Sequence, residues 1–362
     1  MTTKHLNNLF LATAVAASLS LSACGGGGSG SSPVATAPAP APAPAPVPAP
    51  TNPDLVGSVT VPTYAAGTVE KGAWSVLLEE RAACGFGLVQ QDTRLDAANA
   101  AHAKFLTDLS IATKVSWAGH GEDSSKPGFT GLNALDRAIF QGFPSAASVD
   151  EIVSADTALH SISTGDQVGV SEAHGADSMR RLMGTVYHLS GAMFAGRLGG
   201  VGSSHASTAY DTTTTFEVYR FGALIAVTDS NPQRLGTGVV ATYPCAAATH
   251  ASATFAPATE SPNPFADVTS SSVIYGTPVY LKVDASSVLM VSSATITRVS
   301  DSSLLTVRQV THANDPAGQV GANEFFMVPT APLIVGAAYA VSVTGTVDGV
   351  AFTKTFSFTP QT

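Results

Sequence analysis

Nine histidines, three cysteines and a scatter of carboxylates are the groups in this 362-residue chain whose chemistry suits catalysis or metal binding. The spacings that organise such groups into a catalytic unit are missing from its folded part. It holds no G-x-S-x-G nucleophile elbow, no H-E-x-x-H zinc helix, no C-x-x-C pair and no phosphate-binding loop. Gly25, Gly27 and Gly30 satisfy G-x-G-x-x-G, but they follow no strand and open no helix, so the pattern carries no weight. Ser190 lies near His188 in sequence without an identifiable acid to orient the pair. His102 falls on the apolar side of a helical pattern and reads as a hydrogen-bonded core histidine. His160, His174, His205, His250 and His312 lie among polar or small residues and read as surface. A protease reading would rest on fold analogy alone, and the residues lean away from an enzyme.

The elements that must position these groups are of two kinds. Trp74 to Ala83 reads as a helix, with Trp74, Leu77, Leu78 and Ala82 on one side and Gly85 and Gly87 ending it. Over Leu95 to Leu109 the apolar residues recur at three- and four-residue steps, and Asp92 or Thr93 can cap that helix. A short helix is expected around Asn133 to Gly142, with Leu135, Ile139 and Phe140 inward, and a fourth over Asp177 to Met193. The period then changes. Phe216, Val218 and Phe221 alternate, and Leu224 to Val227 is a compact apolar run, so both read as strands. From Thr259 onward no helical period remains. Short runs such as Val279 to Val283, Phe325 to Met327, Tyr339 to Val343 and Phe352 to Phe358 are separated by turn residues. That is the pattern of a β-sandwich of about 100 residues. The boundary between the mixed and all-β regions is expected within His250 to Pro264.

Ahead of both regions, Leu9 to Leu21 is apolar but too short to span a bilayer. With Lys4 and His5 before it, it fits the core of a secretory signal over residues 1–23. It ends in Leu21-Ser22-Ala23-Cys24, which resembles the lipobox of bacterial lipoproteins. That resemblance implies acylation of Cys24 and a membrane partner through the lipid, since each buried methylene contributes about 0.8 kcal/mol. Gly25 in place of Asp after the cysteine implies, by similarity to enterobacterial sorting, the outer membrane. Residues 24–66 read as a linker, first Gly and Ser, then Pro alternating with Ala, Val and Thr. Its polyproline II part could reach roughly 60 Å at about 3.1 Å per residue.

The folded remainder is about 300 residues, enough for two ordinary domains. The net charge is −9, only 12% of residues are charged, and Lys and Arg do not cluster. A nucleic-acid partner needs a basic face and is not expected. With Cys24 on the lipid, Cys84 and Cys245 remain. In an oxidising compartment they read as a bridge, the alternative being two buried thiols. Closing about 160 residues would contribute on the order of 5 kcal/mol in the chain-entropy picture.

Several segments then fall in a familiar order. They are Leu78 to Arg81 with Cys84-Gly85, Leu95 to Ala98 with Ala101 to Ala103, and Gly119 to Asp123 with Pro127 to Gly131 and Asp136-Arg137. Val149 to Ile152, Leu182 to His188 and Val201-Gly202 follow. Together they resemble the bacterial branch of the CAP superfamily (cysteine-rich secretory proteins, antigen 5, pathogenesis-related 1). The resemblance implies an α+β chain: a CAP α-β-α sandwich over 67–250, then a smaller Ig-like β-sandwich over 259–362. It also implies an open cleft with two His and two Glu, carried over here to His120, Glu151 and His188. The second Glu has no counterpart, Thr185 standing in its place, and Glu122 is the candidate substitute. Two neutral imidazoles and a carboxylate can hold Zn²⁺ with one position open. A weakly held divalent metal at His120 and His188 is therefore one expectation, and a hydrogen-bonded polar knot the other. The function implied is an anchored extracytoplasmic module that binds a small apolar or lipidic ligand or an envelope component. The alternative is a metal-dependent hydrolase of envelope peptides or glycans, and a third reading is purely structural.

Overall fold

A computed structural model describes residues 53–361. The signal segment over 1–23, the lipidation site Cys24 and the linker up to residue 52 lie outside the described residues. Residues 53–66, grouped above with the linker, are tied to the fold. Asp54 bridges to Arg234, the Val56 N–H donates to Gln233 Oε1 at 2.7 Å, and the N–H groups of Thr60 and Thr63 donate to Gln90 and Gln91.

A first sheet contains β1 (Gln90–Gln91), β2 (Ser148–Ser161), β3 (Leu198–Ala209) and β4 (Thr214–Val227), in the order β1-β3-β4-β2. Only the β1–β3 pair is parallel. Its helices are α1 (Val69–Ala83), α2 (Thr93–Thr113), α3 (Ala134–Phe140), α4 (Glu172–Met183) and α5 (Tyr187–Ala192). Strand β4 is buried along nearly its whole length. Its Tyr219, Phe221, Ala223 and Ile225 join Trp74 and Leu77 of α1 and Met179 and Met183 of α4. The alternate residues Leu224 and Ala226 join Leu95 and Ala98 of α2 and Ala138 of α3. A strand covered on both faces reads as a continuous apolar run, which is what Phe221 to Val227 shows. Helix α2 begins where expected, the Asp92 side chain accepting from Arg94 N. Helices α1 and α4 approach at Gly72 and Gly175, where an added Cβ would meet backbone oxygens of Glu172 and Val69 at 1.8 and 1.9 Å.

The remaining strands are β5 (Ala241–Tyr243), β6 (Val279–Lys282), β7 (Leu289–Arg298), β8 (Ser303–Leu304), β9 (Val307–Thr311), β10 (Glu324–Pro329), β11 (Tyr339–Val347) and β12 (Val350–Phe358). They make two antiparallel sheets, β5-β6-β10-β9 and β12-β11-β7-β8. Every residue of β6 and β10 is buried. Val279, Leu281, Phe325 and Met327 pack on Ile296, Val341 and Val343 of the third sheet. Tyr280, Phe326 and Val328 belong instead to the cluster of Trp74, Phe86, Leu189 and Met193. The middle sheet is thus shared between the helical part and the outer sheet. Ala241 to Tyr243 pair with β6 across the boundary expected between the two regions. The Cys84–Cys245 disulfide, spanning 161 positions, ties α1 to this junction.

The expected fold, a CAP α-β-α sandwich followed by a smaller sandwich, is corrected. Among the described residues twelve strands in three four-stranded, largely antiparallel sheets dominate, and the five α-helices are the minority. Helical periodicity was conspicuous in sequence, whereas much of the β-structure was masked. Strand β3 contains Gly200 and Gly202 because α2 lies against it: a Cβ there would fall 2.5 Å from Asp96 N and 2.4 Å from Ala100 N. Such a strand reads as a loop. Strand β2 is half-exposed over much of its length, and its apolar residues, Val149, Ile152, Val153, Ala155, Ala158 and Leu159, do not alternate in sequence. Two local expectations also change. Ile139 and Phe140 are exposed rather than inward. The helix expected over Asp177 to Met193 is two helices, broken at Gly184 to Val186.

Candidate functional site

Of the expected site residues, His120 and His188 line one cleft of about 550 Å³. Its walls include His120, Val153, Ala155, Leu182, His188 and Phe255. His120 lies in the loop joining α2 to α3, and His188 in the first turn of α5. The two rings face each other, centroids 6.1 Å apart and planes 23° from parallel.

His120 is fixed from behind. Its Nδ1 lies 3.0 Å from Glu151 Oε2, and its carbonyl accepts from Arg137 Nη1 at 3.0 Å. Arg137 is fully buried and donates Nη2 to Glu151 Oε1 at 2.6 Å. Burial alone would raise the Glu151 carboxyl, but the His120 hydrogen bond and the Arg137 charge outweigh it and hold it below its ordinary value. The carboxylate can only accept, so His120 carries a hydrogen on Nδ1, and in the neutral ring its Nε2 is a lone pair.

His188 is fixed from both sides along the chain, by Thr185 before it and Glu260 after it. Thr185 Oγ1 donates to the Leu182 carbonyl at 2.9 Å, so it must accept from His188 Nδ1, 3.0 Å away. In the neutral ring His188 therefore also presents Nε2 as an acceptor. Helix α5 has no side-chain cap from its own N-cap residue. The buried Glu260 carboxylate supplies one instead, accepting from the N–H groups of Val186, Tyr187 and His188 at 3.0, 2.6 and 3.3 Å. Its Oε1 also stands 3.4 Å from His188 Nδ1. Among the described residues neither Nε2 has a hydrogen-bond partner.

Glu122 does not enter the cleft as the substitute carboxylate. It is buried behind the loop, 3.0 Å from His102 Nδ1, and accepts from Thr130 N at 2.6 Å and Gly131 N at 3.3 Å. A buried carboxylate needs such donors, and these two backbone groups close the 119–131 loop around it. Burial works against its charge, yet His102 and the Thr130 N–H hold the Glu122 carboxyl below its ordinary value. His102 is the hydrogen-bonded core histidine expected, its Nε2 reaching the Gly119 carbonyl at 3.0 Å.

Glu260 is the group the sequence reading missed. It is the second carboxylate of the His pair, and it arrives from 72 positions beyond His188. No local pattern links those positions. Among the five histidines read as surface, His312 is exposed, but His160, His174, His205 and His250 are half-buried. His250 pairs with buried Glu80, His174 packs edge-on against Tyr219, and His205 bonds buried Glu217. Away from the cleft, His160, Asp166 and Glu217 form a cluster whose ligand atoms lie within 4.8 Å of one another.

No protein-family model matches the chain, and no curated protein matches it. Among the described residues no helix is long and apolar enough to cross a membrane.

Proposed function

We propose that the protein is an anchored extracytoplasmic binding module whose cleft takes a small amphipathic ligand. The observation that carries this reading is the make-up of the cleft wall. Val153, Leu182 and Phe255 offer apolar contact, and two imidazoles locked through Nδ1 offer adjacent Nε2 acceptors. A pocket of mostly small side chains, with apolar patches, fixed imidazoles and the paired Asp156 and Arg181 on its walls, suits an apolar body carrying hydroxyl or amide N–H donors. A lipid on Cys24 and the proline-rich spacer would hold this cleft near the outer membrane of a bacterial envelope, within reach of lipids and envelope components. The probe is a fluorescent monoacylglycerol, an acyl chain with free hydroxyls. Saturable binding is expected. Ala155→Trp, at an exposed position on the cleft wall, should abolish it. His188→Ala should weaken it roughly five- to tenfold, the loss of one hydrogen bond of about 1 kcal/mol. Binding untouched by Ala155→Trp would remove the cleft from the reading.

One observation favours a second reading, a metal-dependent hydrolase. Metal-ligating histidines donate their other nitrogen to an acceptor, as both rings do here. Two imidazoles sharing a zinc at about 2.0–2.1 Å per bond have ring centres roughly 5–6 Å apart, and 6.1 Å sits at the outer edge of that range. Stoichiometric zinc binding that vanishes in His188→Ala would bring this reading forward.

A further inference from the structure

Toward the Ser161 end of β2, beyond the cleft-lining Asp156, a buried imidazole nitrogen faces a buried carboxylate without bonding to it. His160 is the penultimate residue of β2, and Glu217 of β4 pairs with Ala158, two residues before it. The protons on this pair can be placed. Thr164 Oγ1 donates to the Ser161 carbonyl at 2.7 Å, so it has none to spare for His160. The two neighbours of His160 Nδ1, Ser161 O and Thr164 Oγ1, both at 3.2 Å, are then acceptors, and Nδ1 carries the hydrogen. In the neutral ring Nε2 is a lone pair. It is buried and makes no hydrogen bond, yet it stands 3.2 Å from Glu217 Oε2. The His160 side chain is nine-tenths buried and that of Glu217 wholly so.

Glu217 is itself oriented. Its Oε1 accepts from His205 Nε2 at 2.7 Å and from Val168 N at 2.9 Å. Its Oε2 accepts from Gln167 N at 2.7 Å and keeps a second lone pair. The two backbone donors fold the 165–168 segment onto the carboxylate and bring the Asp166 carboxyl to the same point. Two lone pairs and a further carboxylate oxygen then surround one volume, an arrangement that repels itself unless something positive lies within it.

We propose that His160, Asp166 and Glu217 bind a divalent first-row cation, with zinc the best match to one imidazole and two carboxylates. One nitrogen and two oxygens suit zinc better than calcium or magnesium, which take oxygen alone. His160 Nε2 and Glu217 Oε2, 3.2 Å apart, already match the roughly 3.3 Å edge of a tetrahedral zinc site with Zn–N and Zn–O bonds of about 2.0–2.2 Å, and the Asp166 oxygen lies within 4.8 Å of both. His205, bonded to the other oxygen of Glu217, positions that ligand. The ion would pin the 162–168 segment to the sheet and leave a coordination position open. This site is separate from the cleft and does not depend on the function proposed there.

The test is calorimetric titration of ZnCl₂ into the full chain after EDTA stripping. Wild type runs beside Asp166→Asn, His160→Gln and His188→Ala. Asp166 is exposed, so its substitution leaves the fold intact even where that of His160 does not. Zinc binding is expected to weaken at least tenfold in Asp166→Asn and in His160→Gln and to persist in His188→Ala. Absence of zinc binding in the wild type would overturn the proposal, leaving a proton shared between His160 and Glu217. Binding lost only in His188→Ala would overturn it too, by placing the metal in the cleft.

Discussion

Replacing Glu260 should cost the fold more than its position in an irregular segment suggests. The carboxylate is 4% exposed and closes the first turn of α5 by accepting from three backbone N–H groups. In Glu260→Ala the buried donors of Val186 and Tyr187 lose their acceptor, while His188 N–H borders the cleft and can find water. Each stranded buried donor costs about 1–3 kcal/mol. Part of that is offset, because the variant no longer buries a carboxylate. The expected loss is about 2–4 kcal/mol, a large share of the roughly 5–15 kcal/mol that holds a domain. Glu260→Gln keeps one acceptor oxygen and should lose about half as much. Urea unfolding is the assay, with the midpoint falling and the slope unchanged. A loss under about 0.5 kcal/mol in both variants would refute the reasoning. It would mean that water closes the turn and that Glu260 does not seat His188.

The α1–α4 crossing should be as sensitive. Gly72→Ala or Gly175→Ala places a methyl against backbone oxygen at 1.8 or 1.9 Å, so the helices must part, at a cost of about 1–3 kcal/mol or more. Gly57→Ala meets nothing within 4 Å and should stay within about 0.5 kcal/mol of wild type in the same urea assay. Stability should also have two opposed pH limbs. Glu122, Glu151 and Glu324 are held below the ordinary carboxyl value. Their contribution is present above the unfolded value of about 4.3 and is lost as pH falls through the folded values. Asp150 runs the other way, since burial pushes it up from 3.8 to about 6, with Glu324 adding to the rise against Lys282. The fold then holds an extra proton in that window, and up to about 3 kcal/mol is lost as pH rises through it, at about 1.36 kcal/mol per unit. Unfolding midpoints across pH should show that second limb in wild type and not in Asp150→Asn.

The parts legible in the sequence are those where one element's chemistry suffices. The stripe of Leu95, Ala98, Phe105, Leu106 and Leu109 announced α2, and all five are buried. Cys84 and Cys245 pair as expected. The runs around Val279 and Phe325 announced strands, though not that both faces would be covered. The parts that were illegible depend on a neighbour far along the chain. Gly200 and Gly202 look like loop residues until α2 is laid against them. Glu217 interrupts an apolar strand, and that was its one signal, but His160, His205 and the 165–168 backbone are needed to explain it. His120, Glu151 and His188 meet at one place, whereas Glu122 was misassigned because two residues of spacing say nothing about which way a loop side chain turns.

The placement of Glu260 bears on how the two ends of the described chain work together. Segment 252–261 forms one wall of the cleft, and Glu260 within it seats one of the two imidazoles. The strands that follow are not a free appendage. Tyr280 stacks on Phe86 and Phe326 and donates to Glu324; Ser190 of α5 donates to the same carboxylate at 2.8 Å, and Lys282 reaches the Met193 carbonyl at 3.1 Å. Helix α5 is therefore gripped at its first turn by Glu260 and near its end by the middle sheet. A buried, hydrogen-bonded junction of this kind resists hinge motion, since parting it would expose Tyr280, Phe326 and Val328 to water and break the bonds of Ser190 to Glu324 and of Lys282 to Met193. The geometry of the His120–His188 pair is then set as much by the C-terminal strands as by the helices that carry the two residues.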